Sequence, residues 1–99
     1  MKLKKIAHSR TGDKGDTSVI SLIAYRAEDY PLLKEKITAE AVASYFGDII
    51  SGSVIRYEID SLCALNFVME HALGGGVTRS LAIDIHGKSL SSALLEMEI

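Results

Sequence analysis

Apolar and polar positions divide the chain into short segments with two different spacings. Residues 3–9 predict a first strand. Residues 19–25 form a nearly unbroken apolar run that suits a strand covered on both faces, although a buried helix would have the same composition. Residues 54–60 and 81–85 alternate between apolar and polar side chains, and this period of two is typical of half-buried strands. The apolar side of the first alternating segment consists of Ile55, Tyr57 and Ile59.

The segment 31–46 carries the spacing of an amphipathic helix. Pro31 fits the first turn of a helix, with Asp29 before it as a candidate cap. Thr38 is a second candidate N-cap, so two short helices are an alternative to one long helix. Gly47 supplies a C-terminal stop. The stripe expected to face the core consists of Leu33, Ile37, Ala41 and Tyr45, with Val42 and Phe46 alongside.

Residues 62–73 predict a further helix that is apolar nearly all round. Asp60 or Ser61 is its candidate N-cap. Its polar stripe is narrow and consists of Asn66 and Glu70, which would lie one turn apart. A helix with so little polar surface is expected to be buried in the domain or against another chain.

The predicted elements give an α+β fold. Three glycines at 74–76 end the predicted helix, and residues 86–88 turn the chain. The tail, residues 88–99, is expected to start as a short helix and to end extended. Strands that alternate with two helical segments indicate a two-layer sandwich with helices on one face of a sheet. A chain of 99 residues is expected to form one domain, residues 1–99.

Composition and charge narrow the choice of partners. The net charge of −2 gives no basic footprint for nucleic acid, and we expect Lys2, Lys4 and Lys5 to protect the edge of the first strand. The mean hydropathy of +0.19 is high for a small domain with so much surface to cover. Part of the apolar surface is therefore expected to be a subunit interface, such as that of a homo-oligomer.

Cysteine usage and hydropathy also bear on location. The lone Cys63 cannot form an internal disulfide, which agrees with a reducing cytosol. No apolar stretch approaches the roughly 20 residues of a membrane span, and no signal peptide is recognisable. We therefore expect a cytoplasmic protein without membrane association, and the sequence calls for no cofactor.

A polar segment, residues 9–18, concentrates charges of both signs, hydroxyls and two glycines between apolar neighbours. This indicates contact with a polar ligand or partner, although a solvated connection with internal ion pairs has the same composition. Its amides and cations could hold an anion. His8 is a candidate general base that Asp13 or Asp16 would assist, or else a structural histidine at a strand end. The candidate ligand-binding residues here are Ser9, Arg10, Gly12, Lys14, Gly15 and Thr17.

A second candidate segment, residues 74–79, combines flexibility with a hydroxyl and a cation. Arg79 could clamp a carboxylate or phosphate in a bidentate fashion. Asn66 is a candidate ligand contact, with a structural hydrogen-bond network as the alternative. His8, His71 and His86 lack metal-ligand spacing, so no metal site is predicted. The remaining candidate ligand-binding residues of this segment are Gly75, Gly76 and Thr78.

Three separated motifs carry a family resemblance. They are residues 6–17 (IAHSRTGDKGDT), 64–68 (ALNFV) and 72–81 (ALGGGVTRSL), and Asp84 and residues 87–88 match as well. Together they resemble the small C-terminal domain of the acyclic terpene utilisation (AtuA) family. The resemblance covers nearly the whole chain. It implies a ferredoxin-like sandwich and a role in bacterial-type catabolism of branched or terpenoid carboxylic acids or their coenzyme A thioesters, and it transfers no catalytic residue.

The resemblance also implies a partner. Longer members carry this domain after a large N-terminal domain, so we expect this chain to be an accessory subunit of a large AtuA-type protein. It would dock through the segment 62–73 or a sheet face, while Arg10, Lys14 and Arg79 hold an anionic group. The alternative is a small oligomeric enzyme that acts on an acyl substrate with His8 as general base. A self-associating scaffold without a ligand is a third hypothesis.

Overall fold

The computed structural model describes residues 1–14, 17–47, 50–71 and 90–99. Within these ranges the strands are β1 (Ala7–Lys14), β2 (Thr17–Ala24), β3 (Ile50–Ile59) and β4 (Ala64–His71). They form one antiparallel sheet in the order β1-β2-β4-β3. The helices in the same ranges are α1 (Tyr30–Lys36), α2 (Ala39–Phe46) and α3 (Leu90–Leu94).

The polar segment is part of a β-hairpin rather than a loop. β1 begins at Ala7, after a 3-10 turn at Leu3–Lys5, and not at residue 3 as predicted. It continues through the polar residues to Lys14, which pairs with Thr17 of β2. The polar composition predicts a loop, but an edge strand accommodates charged and hydroxylated side chains equally well.

The central strand β4 lies where a helix is predicted over residues 62–73, and that prediction is wrong. The segment is apolar on both sides, so its composition fits the centre of a sheet as well as a buried helix. β4 pairs with β2 on one side and with β3 on the other. Asp60 caps no helix there, because Asp60–Leu62 is a 3-10 turn. Cys63 follows in the left-handed conformation, with φ of 51°, and leads the chain into β4.

Two short helices follow β2, as Thr38 predicts. Its Oγ1 atom accepts a hydrogen bond from the Ala41 amide at 3.0 Å and begins α2. Pro31 lies in the first turn of α1, whereas Asp29 is at the N-cap position without a side-chain bond to the helix. Gly47 ends α2 with φ of 55° and ψ of −125°, a conformation that other residues rarely adopt.

The described helices pack on one face of the sheet, which confirms the predicted α+β class. Their apolar side chains meet the inward side chains of the strands in a single cluster. Burial of this cluster is the main favourable contribution to folding in a domain of this size. The largest fully buried side chains are Phe67, Leu3, Ile20, Leu22, Leu33, Ile37, Leu65, Met69, Leu94 and Val42.

The alternation of β3 is confirmed, but its two faces are the reverse of the prediction. Arg56 points to the helix layer, where its Nη1 atom donates to the carbonyl oxygens of Lys34 at 2.8 Å and Ile37 at 3.0 Å. Ile55 and Tyr57 point away from the helices and are 47% and 54% exposed. The apolar side of β3 therefore lies outside the core that the described residues form.

The tail starts as α3 and ends extended, as predicted, and it pairs with the first residues of the chain. The Leu3 amide donates to the Met97 carbonyl at 2.9 Å. Lys2 and Lys4 do not protect a strand edge, because their Nζ atoms lie 2.9 Å and 3.1 Å from the Glu96 carboxylate. The predictions for residues 74–76, 81–85 and 86–88 fall outside the described residues.

Candidate functional site

One face of the sheet points away from the described helices, and we call it the open face. Alternation along the strands and the pairing register define its members. Ser9 and Thr11, which alternate with them on β1, point the other way and bond to Ser91 of α3. The described side chains of the open face are those of His8, Arg10, Gly12, Thr17, Val19, Ser21, Ile23, Ile55, Tyr57, Ile59, Ala64, Asn66 and Val68, and the register assigns the positions of Lys14 and Glu70, the cross-strand partners of Thr17, to the same face.

Three rows of cross-strand neighbours with described side chains run over the open face, and a fourth row, Lys14, Thr17 and Glu70, lies beyond the first of them. The first and third rows are largely apolar, and the row between them is polar throughout. In the order β1, β2, β4, β3, the first row is Gly12, Val19, Val68 and Ile55. The polar row is Arg10, Ser21, Asn66 and Tyr57. The third row is His8, Ile23, Ala64 and Ile59.

The open face exposes large apolar and aromatic side chains. Ile55 and Tyr57 are about half exposed on β3. Tyr25, just beyond β2, is 62% exposed and stacks on His8 of β1, with ring centroids 5.1 Å apart. Contiguous exposed apolar surface rimmed by polar groups marks interaction sites in soluble proteins. Part of the apolar surface that the high mean hydropathy of the sequence predicts therefore lies on the open face.

The described side chains of the open face carry positive charge and no negative charge. Arg10 is exposed, and no ion pair within the described part of the chain involves it. The nearest carboxylates in sequence on β3 and beyond it, Glu58 and Asp60, are engaged by Lys34 and Arg56 on the helix side of the sheet. Among the described residues, the Arg10 guanidinium group with its five donors therefore has no carboxylate partner, and it is available to a partner chain or ligand.

The structure brings some of the sequence-predicted residues together. His8, Arg10 and Gly12 share the open face with Asn66, which lies two strands away from Arg10 in the same row. Thr17 lies on this face at the start of β2. Ser9 is directed elsewhere, because its hydroxyl donates to the Ser91 carbonyl at 2.8 Å. The four residues of the first group thus share one face of the sheet, and their role as ligand or partner contacts stays a prediction.

Other predicted site residues stay predictions. Gly15, Asp16, Gly75, Gly76, Thr78 and Arg79 lie outside the described residues, and the backbone alone is described for Asp13 and Lys14. A common anion pocket formed by Arg10 and Arg79 is therefore untested. The same holds for His8 as general base, since the side chains of its two proposed helpers are not described.

Sequence reasoning missed Ser21, Tyr57, Tyr25 and Val68. Ser21 is hidden in an apolar run, and Tyr57 is assigned to the core side by its alternation with charged residues. The available signal was the excess of apolar segments over what a small core can cover. That signal predicts an interface and leaves its position open.

Elsewhere, an open groove of about 550 Å³ lies between α2 and the C-terminal segment. Its lining includes Tyr45, Glu96 and Glu98, and Glu96 is already bonded to the two N-terminal lysines. No group of three or more metal-ligating side chains occurs in the described ranges. Within them, too, no helix is long and apolar enough to cross a membrane.

Together the fold and the open face define a small α+β domain whose sheet is covered by helices on one side. The whole chain, residues 1–99, matches the family model of the AtuA ferredoxin-like domain, and the chain belongs to that family. The resemblance seen in the three sequence motifs is thereby confirmed, together with the ferredoxin-like fold class. No curated protein and no solved structure matches it.

Proposed function

We propose that this domain is an accessory subunit that docks on a large AtuA-type chain through its open face. Family membership supports the choice of partner, since the domain is named for AtuA proteins. The setting we propose is cytoplasmic catabolism of branched or terpenoid carboxylic acids or their coenzyme A thioesters. The subunit would bring positive charge to the contact with the large chain, with Arg10 within the docking face and Lys14 and Arg79 as candidates for holding an anionic group at the shared site.

The orientation of β3 is the observation that carries this proposal. Its apolar side chains Ile55 and Tyr57 lie outside, while Arg56 occupies the helix side. Full burial of an exposed apolar side chain contributes about 1.5–3 kcal/mol, so leaving Ile55 and Tyr57 half exposed forfeits about half of that for each. A partner surface that covers the open face recovers that free energy.

The size of the open face supports a protein partner. Strands about 4.8 Å apart and residues about 3.3 Å apart give four strands, over a span of eight residues, roughly 500 Å² of projected area. Specific interfaces bury about 800 Å² per partner. The face and its rim, with Tyr25 and the side chains standing out from the sheet, therefore supply most of a standard interface.

Co-expression with a large AtuA-type chain from the same genome tests docking. We expect one peak containing both chains in size-exclusion chromatography. Val68→Asp places a charge in the middle of the open face and should separate the peaks. Leu62→Asp is the matched control, because Leu62 is 65% exposed but lies in the turn beyond β3. Separate peaks for the wild-type chains over a range of salt concentrations would refute docking.

A further inference from the structure

We infer that the polar row of the open face, Arg10, Ser21, Asn66 and Tyr57, is the specificity element of docking: it receives a carboxylate side chain that the large partner chain carries on an otherwise apolar surface. This inference rests on the proposed docking function and adds the chemistry of recognition. It concerns which group the partner must present, and where.

The row has the composition of a donor strip. Its members offer a guanidinium fork, a hydroxyl, a side-chain amide and a phenol, all of which donate hydrogen bonds. They are direct cross-strand neighbours, so the strip crosses the whole sheet and is about 14 Å long. Arg10 at one end supplies the charge, and a guanidinium binds a carboxylate through two parallel hydrogen bonds.

Burial makes a compensating anion necessary. The polar row lies between two largely apolar rows, so a partner that covers Val19 and Val68 on one side and Ile23 on the other also covers the row. An arginine that loses water without gaining a partner costs several kcal/mol. An apolar surface without a carboxylate is therefore a poor occupant of this face.

The same charge argument weighs against a second copy of this chain. Two open faces brought together would enclose two copies of Arg10, and the described side chains in its row and in the two neighbouring rows include no carboxylate to neutralise them. Glu70, which the register assigns to this face, lies two rows away from the row of Arg10. Unneutralised like charge in an interface is strongly unfavourable and acts as a selection against wrong partners. A partner with a different, acidic contact surface fits this face better.

The form of the face favours a macromolecule over a small acid. Small-molecule sites are concave and enclose most of the ligand. The polar row lies on the surface of a sheet, with Arg10 exposed and Tyr57 54% exposed. A carboxylate bound to the polar row would be enclosed by the partner surface that carries it.

Affinity for the large AtuA-type chain, measured by calorimetry at about 0.15 M salt, tests the inference. We expect Arg10→Gln to weaken binding by at least about 30-fold and Arg10→Glu to weaken it further. Arg10→Lys keeps the charge but loses the fork and should fall in between. Arg26→Glu is the matched control, because Arg26 is an exposed arginine beyond the end of β2 that pairs with Glu28, and it should stay within about twofold.

A charge exchange identifies the source of the carboxylate. Acidic residues on the partner surface are replaced by lysine one at a time, and one of these variants should restore binding to Arg10→Glu. Failure of every replacement to restore binding would overturn the inference. Isovalerate, a short branched acid, is titrated into the full chain alone by NMR. A saturable shift at Arg10 would overturn it in favour of a small ligand.

Two further outcomes separate this inference from docking itself. If Val68→Asp abolishes the complex but all Arg10 variants bind like the wild type, docking through the open face is supported and the proposed contact between Arg10 and a carboxylate of the partner is refuted. If the wild-type chains form no complex, both fail. A wild-type dimer in sedimentation that Val68→Asp dissociates would assign the face to a second copy instead.

Discussion

The hydroxyl of Tyr30 donates a hydrogen bond to Asp60 Oδ1 at 2.8 Å, and this contact joins the start of α1 to the turn between β3 and β4. Burial, with the Asp60 carboxylate beside it, raises the pKa of Tyr30 to about 12. The bond from Tyr30, and after it one from Lys34, lowers the pKa of Asp60 below its usual 3.8. The pair therefore prefers a protonated phenol and an ionised carboxylate in the folded state.

Tyr30→Phe is expected to lower the free energy of unfolding at neutral pH by about 1–2 kcal/mol, because the hydrogen bond to a carboxylate is lost. In the wild type, an unfolded tyrosine ionises near pH 10 and the folded one near 12. Stability from Tyr30 is thus full below pH 10 and is lost as the pH rises toward 12.

Urea denaturation at a series of pH values measures both effects. Tyr30→Phe should show a smaller decline in stability above pH 10 than the wild type. Tyr25→Phe is the control, because Tyr25 is 62% exposed and should decline as the wild type does. Identical alkaline profiles for Tyr30→Phe and the wild type would contradict the assignment.

The pairing of the two chain ends should weaken in acid. Hydrogen bonds from Lys2 first and Lys4 next hold the pKa of Glu96 below its usual 4.5. The unfolded carboxylate therefore takes up its proton first as the pH falls, and the stability from Glu96 is present above about pH 4.5 and lost below it. Hydrogen exchange at the Leu3 amide, which donates to Met97, reports the opening directly.

Glu96→Gln should speed that exchange at neutral pH and reduce its dependence on pH between about 5 and 3. Glu35→Gln, on the exposed side of α1, is a control of the same chemistry and should leave exchange at Leu3 unchanged. Unchanged exchange in Glu96→Gln would show that the backbone pairing of the ends does not depend on this carboxylate.

Local chemistry decided the elements that were predicted correctly. Thr38 caps α2 through its own hydroxyl, and Gly47 adopts a conformation that its lack of a side chain permits, so both signals are readable from single residues. The strand β4 could not be predicted from the sequence, because a segment that is apolar on both sides has no period that distinguishes a strand from a helix. Pairing with β2 and β3 determines that this segment is a strand, and such pairing depends on distant parts of the chain.

The candidate site was partly predictable for a related reason. The motif residues Arg10 and Asn66 are recognisable by their chemistry, but only the register places them in one row. Alternation in β3 divides its residues into two sides without stating which side meets the helices. Arg56 decides this, since it binds carbonyl groups of the segment around the end of α1.

Gly47→Ala should destabilise the chain by about 1–3 kcal/mol through backbone strain alone. At φ of 55° and ψ of −125° a β-carbon is unfavourable, although no neighbouring atom lies within 4 Å of its position. Gly12→Ala is the matched control, because it also has open space and its φ is an ordinary one. Thermal unfolding of the two variants should differ by several degrees, and equal midpoints would remove the strain argument.

Arg56→Met should cost about 2–4 kcal/mol in urea denaturation, more than an exposed arginine contributes. The guanidinium donates to the carbonyls of Lys34 and Ile37, and its Nη2 atom lies 2.7 Å from Glu58. Those carbonyls are the unsatisfied groups that every helix leaves at its C-terminal end.

Lysine at this position tests the geometry separately from the charge. Arg56→Lys keeps a cation near Glu58, but a single ammonium group cannot reach two carbonyls and a carboxylate with the same fork, so part of the loss should remain. Arg26→Met, at a side chain that is 70% exposed, should change the free energy of unfolding by less than about 0.5 kcal/mol. If Arg56→Met were equally mild, the inward position of the polar side of β3 would have no energetic basis. The outward position of Ile55 and Tyr57 would then lose its structural cause.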